Sequence, residues 1–136
     1  AADDFATGVV QAIMALRDAR RTVSKASSDR ELALRSERVA SVHDVEAVRS
    51  ALHEVERRVD EAHARLARVQ ILFGVSRPPT TEADESILAL RRAHGALKDW
   101  PIPDDDRAGA EVENAYQASQ RFAVAAREAI ERGRMD

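Results

Sequence analysis

Residues 45–73 read VEAVRSALHEVERRVDEAHARLARVQILF. Within this stretch Val45, Val48, Leu52, Val55, Val59, Ala62, Leu66, Val69 and Phe73 step by three and four in strict alternation. That spacing places them on one stripe of an α-helix, with charged residues filling the other faces. At ~1.5 Å per residue the stripe is about 43 Å long. In heptad terms Val45 is an a position, and the d positions are Val48, Val55, Ala62 and Val69. A parallel two-stranded coiled coil favours leucine at d. Valine and alanine there predict the central strut of a folded bundle instead of a simple zipper dimer.

Upstream, the same register puts Ser41 and Arg38 on the stripe, so the apolar face rotates near residues 38–44. The choice lies between a break capped by Ser41 and a stutter inside one helix. No glycine or proline interrupts this region, which favours continuity. Ser28-Asp29-Arg30-Glu31 has the spacing of a capping box, in which Ser28 and Glu31 satisfy each other's backbone amides. Together these features predict one long central helix over about 29–73. Before it, Phe5, Val9, Ala12, Leu16, Ala19 and Val23 form a first helix, with Asp3 or Asp4 at its start and Val10 and Ile13 widening its stripe.

Downstream, Gly74 suits the residue after a helix end, and Pro78-Pro79 follow as a stop. Thr80 or Thr81 then caps a third helix with the seam Ile87, Leu90, His94 and Leu97. Trp100-Pro101-Ile102-Pro103 ends it in a stiff link, and Asp104, Asp105 and Asp106 open a last helix. Its seam is Ala108, Val112, Ala115, Ser119, Phe122, Ala126 and Ala129, again stepping by four and three. The seams satisfy one another best in an all-α, antiparallel four-helix-type bundle formed by residues 1–136 as a single domain. On the surface of the long helix, Glu54–Arg58 and Glu61–Arg65 are spaced as i,i+4 pairs.

Composition agrees. The 136 residues are 44% hydrophobic and 33% charged, which suits a folded helical chain, and only 4% aromatic. Acidic residues number 24 against 21 basic, for a net charge of -3. With no basic excess, no nucleic-acid partner is expected. Arg17, Arg20, Arg21 and Lys25 cluster locally, but Asp18 interrupts them. There is no cysteine, hence no disulfide or thiolate metal site, and no apolar run approaches the ~20 residues of a membrane span. The first residue is alanine, as expected of a trimmed or processed chain, and the compartment stays open.

Four histidines are the natural places to look for chemistry. His43, His53 and His63 recur every ten residues, which turns successive side chains by about 80° on a helix and does not converge them on a metal. Asp60 precedes His63 by three residues, as in carboxylate-bridged di-iron bundles, but the pair lies off the seam and has no second copy. No cofactor is expected. There is no Gly-x-Ser-x-Gly elbow and no glycine-rich phosphate loop, so no catalytic residue is assigned.

His94 sits on a seam, where a hydrogen bond to a neighbouring helix is the ordinary fate of a core-edge histidine. Ala93-His94-Gly95-Ala96-Leu97-Lys98 is also similar, with leucine and lysine displaced by one residue, to the His-x-Leu-Lys-Gly pattern of histidine phosphotransfer domains. Those domains are four-helix bundles, and the resemblance implies that His94 is a phosphoacceptor. His43-Asp44 looks a little like the phosphoacceptor box of sensor kinases, with the spacing several residues off. Trp100 invites comparison with type VII secretion substrates, but Pro-Ile follows it in place of their Trp-x-Gly turn. Trp100 on its proline-flanked link is a candidate partner contact. So are Ile71 and Val75, at a helix end where Ile71, Leu72, Phe73 and Val75 are apolar on all sides. Such an end asks for cover from the following loop or from another chain. The reading that needs no motif is a non-catalytic bundle acting through protein–protein contact or self-assembly. A phosphotransfer-like bundle using His94, or a helical ligand-binding or enzyme domain, is the alternative.

Overall fold

The computed structural model describes residues 2–35, 42–98 and 105–135. They form four helices: α1 (Ala2–Arg35), α2 (Val42–Phe73), α3 (Pro78–Lys98) and α4 (Asp105–Met135). No strand occurs among the described residues. Successive helices run antiparallel. The start of α1 meets the end of α2, where Arg68 lies 3.5 Å from Asp4, and the start of α3 meets α4 where Arg121 lies 3.4 Å from Glu82. The chain is an all-α helical bundle.

The helices pair unequally. α1 packs most extensively on α2, and α3 on α4, so the bundle is two helical hairpins laid face to face. The reason is legible in side-chain size. Ala83, Ser86, Ala89 and Ala93 are buried on α3, and Ala115, Ala118 and Ala126 on α4. Small residues let two backbones approach closely. The larger side chains Phe5, Leu16, Leu90, Leu97 and Phe122 are fully buried, and Phe5 meets Phe122 across the two hairpins.

The stripe of α2 behaves as a strut. Its d residues Val48, Val55, Ala62 and Val69 are completely buried, as are Val59 and Leu66 nearly so. Val45, Leu52 and Phe73 lie at the margins of the core. The α4 seam is buried from Ala108 to Ala126, with Ala129 half-buried at its end.

Several sequence expectations need correction. The long helix does not begin at residue 29: Ser28–Glu31 lie inside α1, which runs to Arg35, and the strut belongs to a separate helix described from Val42. A capping box acts only where a helix begins and its first amides lack intrahelical partners. Here Val23 and Ala26 continue the buried stripe of α1 into the box, and the amides that Ser28 would cap are inside a helix. Ser41 and the Arg38–Ala40 stretch lie outside the described residues. Ile13 widens the α1 stripe as expected, but Val10 is exposed. On α2, Glu54 does pair with Arg58, at 2.9 Å. Glu61 meets Arg57 and Arg58, while Arg65 reaches across to donate to the Asp4 carbonyl at 2.9 Å.

Pro78 and Pro79 do not merely stop α2. They are the first residues of α3, where proline's missing N–H costs nothing. The true cap of α2 is Gly74, whose φ of 89° is left-handed and whose N–H donates to the Gln70 carbonyl at 2.9 Å. This closes the last turn of α2 in the αL manner.

Candidate functional site

The α2–α3 turn is fixed from both sides. Thr80, expected as a helix cap, is fully buried and donates its hydroxyl to the Gly74 carbonyl at 2.6 Å. The amides of Thr80 and Thr81 both donate to the Arg77 carbonyl, at 3.0 and 3.1 Å, which starts α3 within four residues of the end of α2. The turn therefore holds its side chains in set positions. Those side chains are apolar and face water: Ile71 is 85% exposed, Val75 69% and Leu72 55%. The following loop does not cover them, because the tight return into α3 leaves no residues to fold back.

Beside them lies an open groove of about 410 Å³. Leu72, Phe73, Pro79, Ala125 and Ala129 form its walls, and Arg77, Glu128 and Arg132 its rim. A second groove of about 370 Å³ follows the other flank of α4, between its C-terminal turns and the start of α1. Ala2, Ala6, Phe122 and Ala126 line it, with Ile130 partly exposed at its edge. One end of the bundle thus combines projecting apolar side chains with two grooves, the first of mixed lining with apolar walls and a charged rim, the second mostly apolar. Elsewhere Val10 and Met14 are exposed one turn apart on α1, an isolated pair of a kind ordinary on protein surfaces.

The arginine cluster on α1 forms a cavity of about 400 Å³ with the start of α4. Two of its charges, Arg17 and Arg20, are engaged with α4. Arg20 holds Asp105 through Nε at 3.2 Å and Nη2 at 3.0 Å, and Ser24 donates to the same carboxylate at 2.6 Å. These donors, the Arg20 guanidinium first, hold the Asp105 carboxyl below its usual pKa. Arg17 lies over the Tyr116 ring, 5.4 Å from its centre. Gly109 gives Arg20 its place: a Cβ there would stand 2.7 Å from Nη2. The cluster is a clamp between α1 and α4.

His94 lies at the edge of the α2–α3 contact, half-buried beside the backbone of Leu52. Ala93 takes the fully buried position beside it. Burial lowers the His94 pKa from the ordinary histidine value, and Lys98 and Arg91 act the same way; Glu56 and the Leu52 backbone oppose them. His63 and Asp60 both face Arg91 of α3. Arg91 Nη2 lies 2.9 Å from His63 Nδ1 and 3.7 Å from Asp60. Arginine can only donate, so Nδ1 accepts and the His63 proton sits on Nε2. His53 is exposed.

Among the described residues no group of three or more histidine, aspartate or glutamate side chains is placed to hold a metal ion. Every buried side-chain polar atom there has a hydrogen-bond partner. No helix among them is long and apolar enough to cross a membrane. Trp100 with its proline link, and the side chains of His43 and Asp44, lie outside the described residues. Of the residues singled out by sequence, the structure brings Ile71 and Val75 to one surface and sets His94 apart from them. Ala129, expected on the small-residue seam of α4, lines the groove, whereas Ala125 stood outside that seam, because nothing in an alanine-rich helix marks which alanines line a groove.

No protein-family model matches the chain, and neither the curated proteins nor the solved structures yield a match.

Proposed function

We propose that this bundle works through protein–protein contact, with the α2–α3 end as its contact surface. The observation that carries this reading is the exposure of Ile71, Leu72 and Val75 on a turn that is rigidly capped. Three large aliphatic side chains held in water at one site cost hydrophobic free energy that a partner would recover, each side chain contributing about 1.5–3 kcal/mol if fully covered. A rigid turn adds little ordering cost on binding. The adjoining grooves supply the concave surface that such contacts use.

The His94 phosphotransfer reading draws less support, since the ring is half-buried at the α2–α3 contact.

A photo-crosslinking residue at position 71 tests the proposal. It should form protein–protein crosslinks in the native setting, and Val75→Asp combined with Leu72→Asp should abolish them without loss of helicity. Crosslinks that persist in that variant, or their absence in the parent, would overturn it.

A further inference from the structure

We infer that the occupant of the α2–α3 end is a second copy of this chain, related by a two-fold axis, with Ile71 and Val75 of each copy entering the groove of the other. The inference rests on the reading of this end as a contact surface and names its partner.

A two-fold contact is made by one patch that must be complementary to itself. Most apolar patches fail this test, because they project or recede but do not do both. Here the projection and the recess are neighbours on one rigid end. Ile71 and Val75 stand out from the turn, and Leu72 and Phe73, adjoining Ile71 in sequence, already form the wall of the groove with Ala125 and Ala129. The alanine wall leaves room for a branched aliphatic side chain.

Charge points the same way. A partner of opposite sign would be expected to face a rim of one sign. The two grooves are rimmed instead by Arg77, Arg127 and Arg132 against Asp3, Glu128 and Glu131, three of each. Such a rim does not repel its own copy. Arg132 already lies 3.7 Å from Glu128, while the Arg77 side chain makes no ion pair among the described residues.

Area sets the strength. A stable interface buries about 800 Å² per partner. Three exposed side chains fall short of that alone, so the grooves must take part, and the dimer belongs to the weak, concentration-dependent class.

Sedimentation equilibrium over micromolar to millimolar protein tests this with the full chain and two variants. Ile71→Asp damages the projection, and Ala129→Arg fills the recess. Both sites lie off the core, and circular dichroism confirms that each variant stays helical. The parent should form dimers, and each variant should associate at least ~30-fold more weakly, the effect of losing a hot-spot side chain. Mixing the two variants should restore part of the association, because the mixed pair keeps one intact projection facing one intact groove. A parent that stays monomeric at every concentration overturns the inference, as does a dimer indifferent to both variants or a mixture that shows no recovery. If the parent is monomeric yet position 71 crosslinks to a different protein, this inference fails while the contact-surface reading stands. If it is monomeric and crosslinks to nothing, both fail.

Discussion

The rings of Phe5 and Phe122 meet edge to face, with centroids 4.8 Å apart and planes inclined at 70°. Phe5 belongs to the first hairpin and Phe122 to the second, and both are fully buried. The pair therefore locks the two hairpins together at the end of the bundle that carries the exposed turn. Phe122→Ala should cost about 3–5 kcal/mol, as cavity formation beside a second aromatic ring. Phe122→Leu should cost less, since it refills part of the volume. Urea unfolding measures both, and equal costs would show that ring geometry outweighs volume.

The Gly74 conformation is set by φ and not by space. The nearest atom to an added Cβ is Arg77 Cγ at 3.5 Å, an ordinary contact. Gly74→Ala should therefore destabilise by about 1–2 kcal/mol, the cost of a left-handed backbone for an L side chain. Gly74→Asn should cost less, because asparagine tolerates this region. Thermal unfolding of both variants checks the order.

At Gly109 two effects of similar size oppose one another. Alanine is the better helix former by up to ~1 kcal/mol. Its Cβ would displace the Arg20 guanidinium and with it an exposed ion pair worth about 0.2–1 kcal/mol. Gly109→Ala alone should be close to neutral, whereas in an Arg20→Ala background it should stabilise. A double-mutant cycle reads the difference, and identical effects in both backgrounds would rule out the clamp.

Stability should fall as the solution is acidified through the ordinary histidine range. Burial lowers the His94 pKa, so between that value and the unfolded value of about 6.5 the unfolded chain binds more protons than the folded one. The stabilisation is complete above the unfolded value and shrinks as pH falls toward the folded one. His94→Gln should remove this share of the pH dependence. Asp105, held low chiefly by Arg20, acts further down: its contribution is present above the unfolded carboxyl pKa and is lost as pH falls through the folded one.

Much of this was legible in the residue pattern. Val48, Val55, Val59, Ala62, Leu66 and Val69 of the α2 stripe and the α4 seam from Ala108 to Ala126 are buried where periodicity put them, because strict spacing leaves a helix only one way to face a core. Ser28 was misleading since local capping chemistry is weaker than the continuing buried stripe of α1. Pro78-Pro79 were ambiguous in principle: proline both ends one helix and starts the next. On α3 the buried face includes Ala83, Ala89 and Ala93, which a seam drawn through Ile87, Leu90, His94 and Leu97 passes over, since alanine gives little hydropathic contrast. Ile71 and Val75 stood out because apolar residues surround a helix end on every side. Sequence could not say whether the loop covers them; the bond from Thr80 to Gly74 and the immediate start of α3 leave them bare.

If two copies of the chain meet at this bare end, methyl resonances followed on dilution test the pairing most directly. Shifts on dilution should concentrate at Ile71, Leu72, Val75, Ala125 and Ala129, with Val10, Met14 and the Arg20 clamp unmoved. Shifts centred on Val10 and Met14, or none at any concentration, would contradict the pairing.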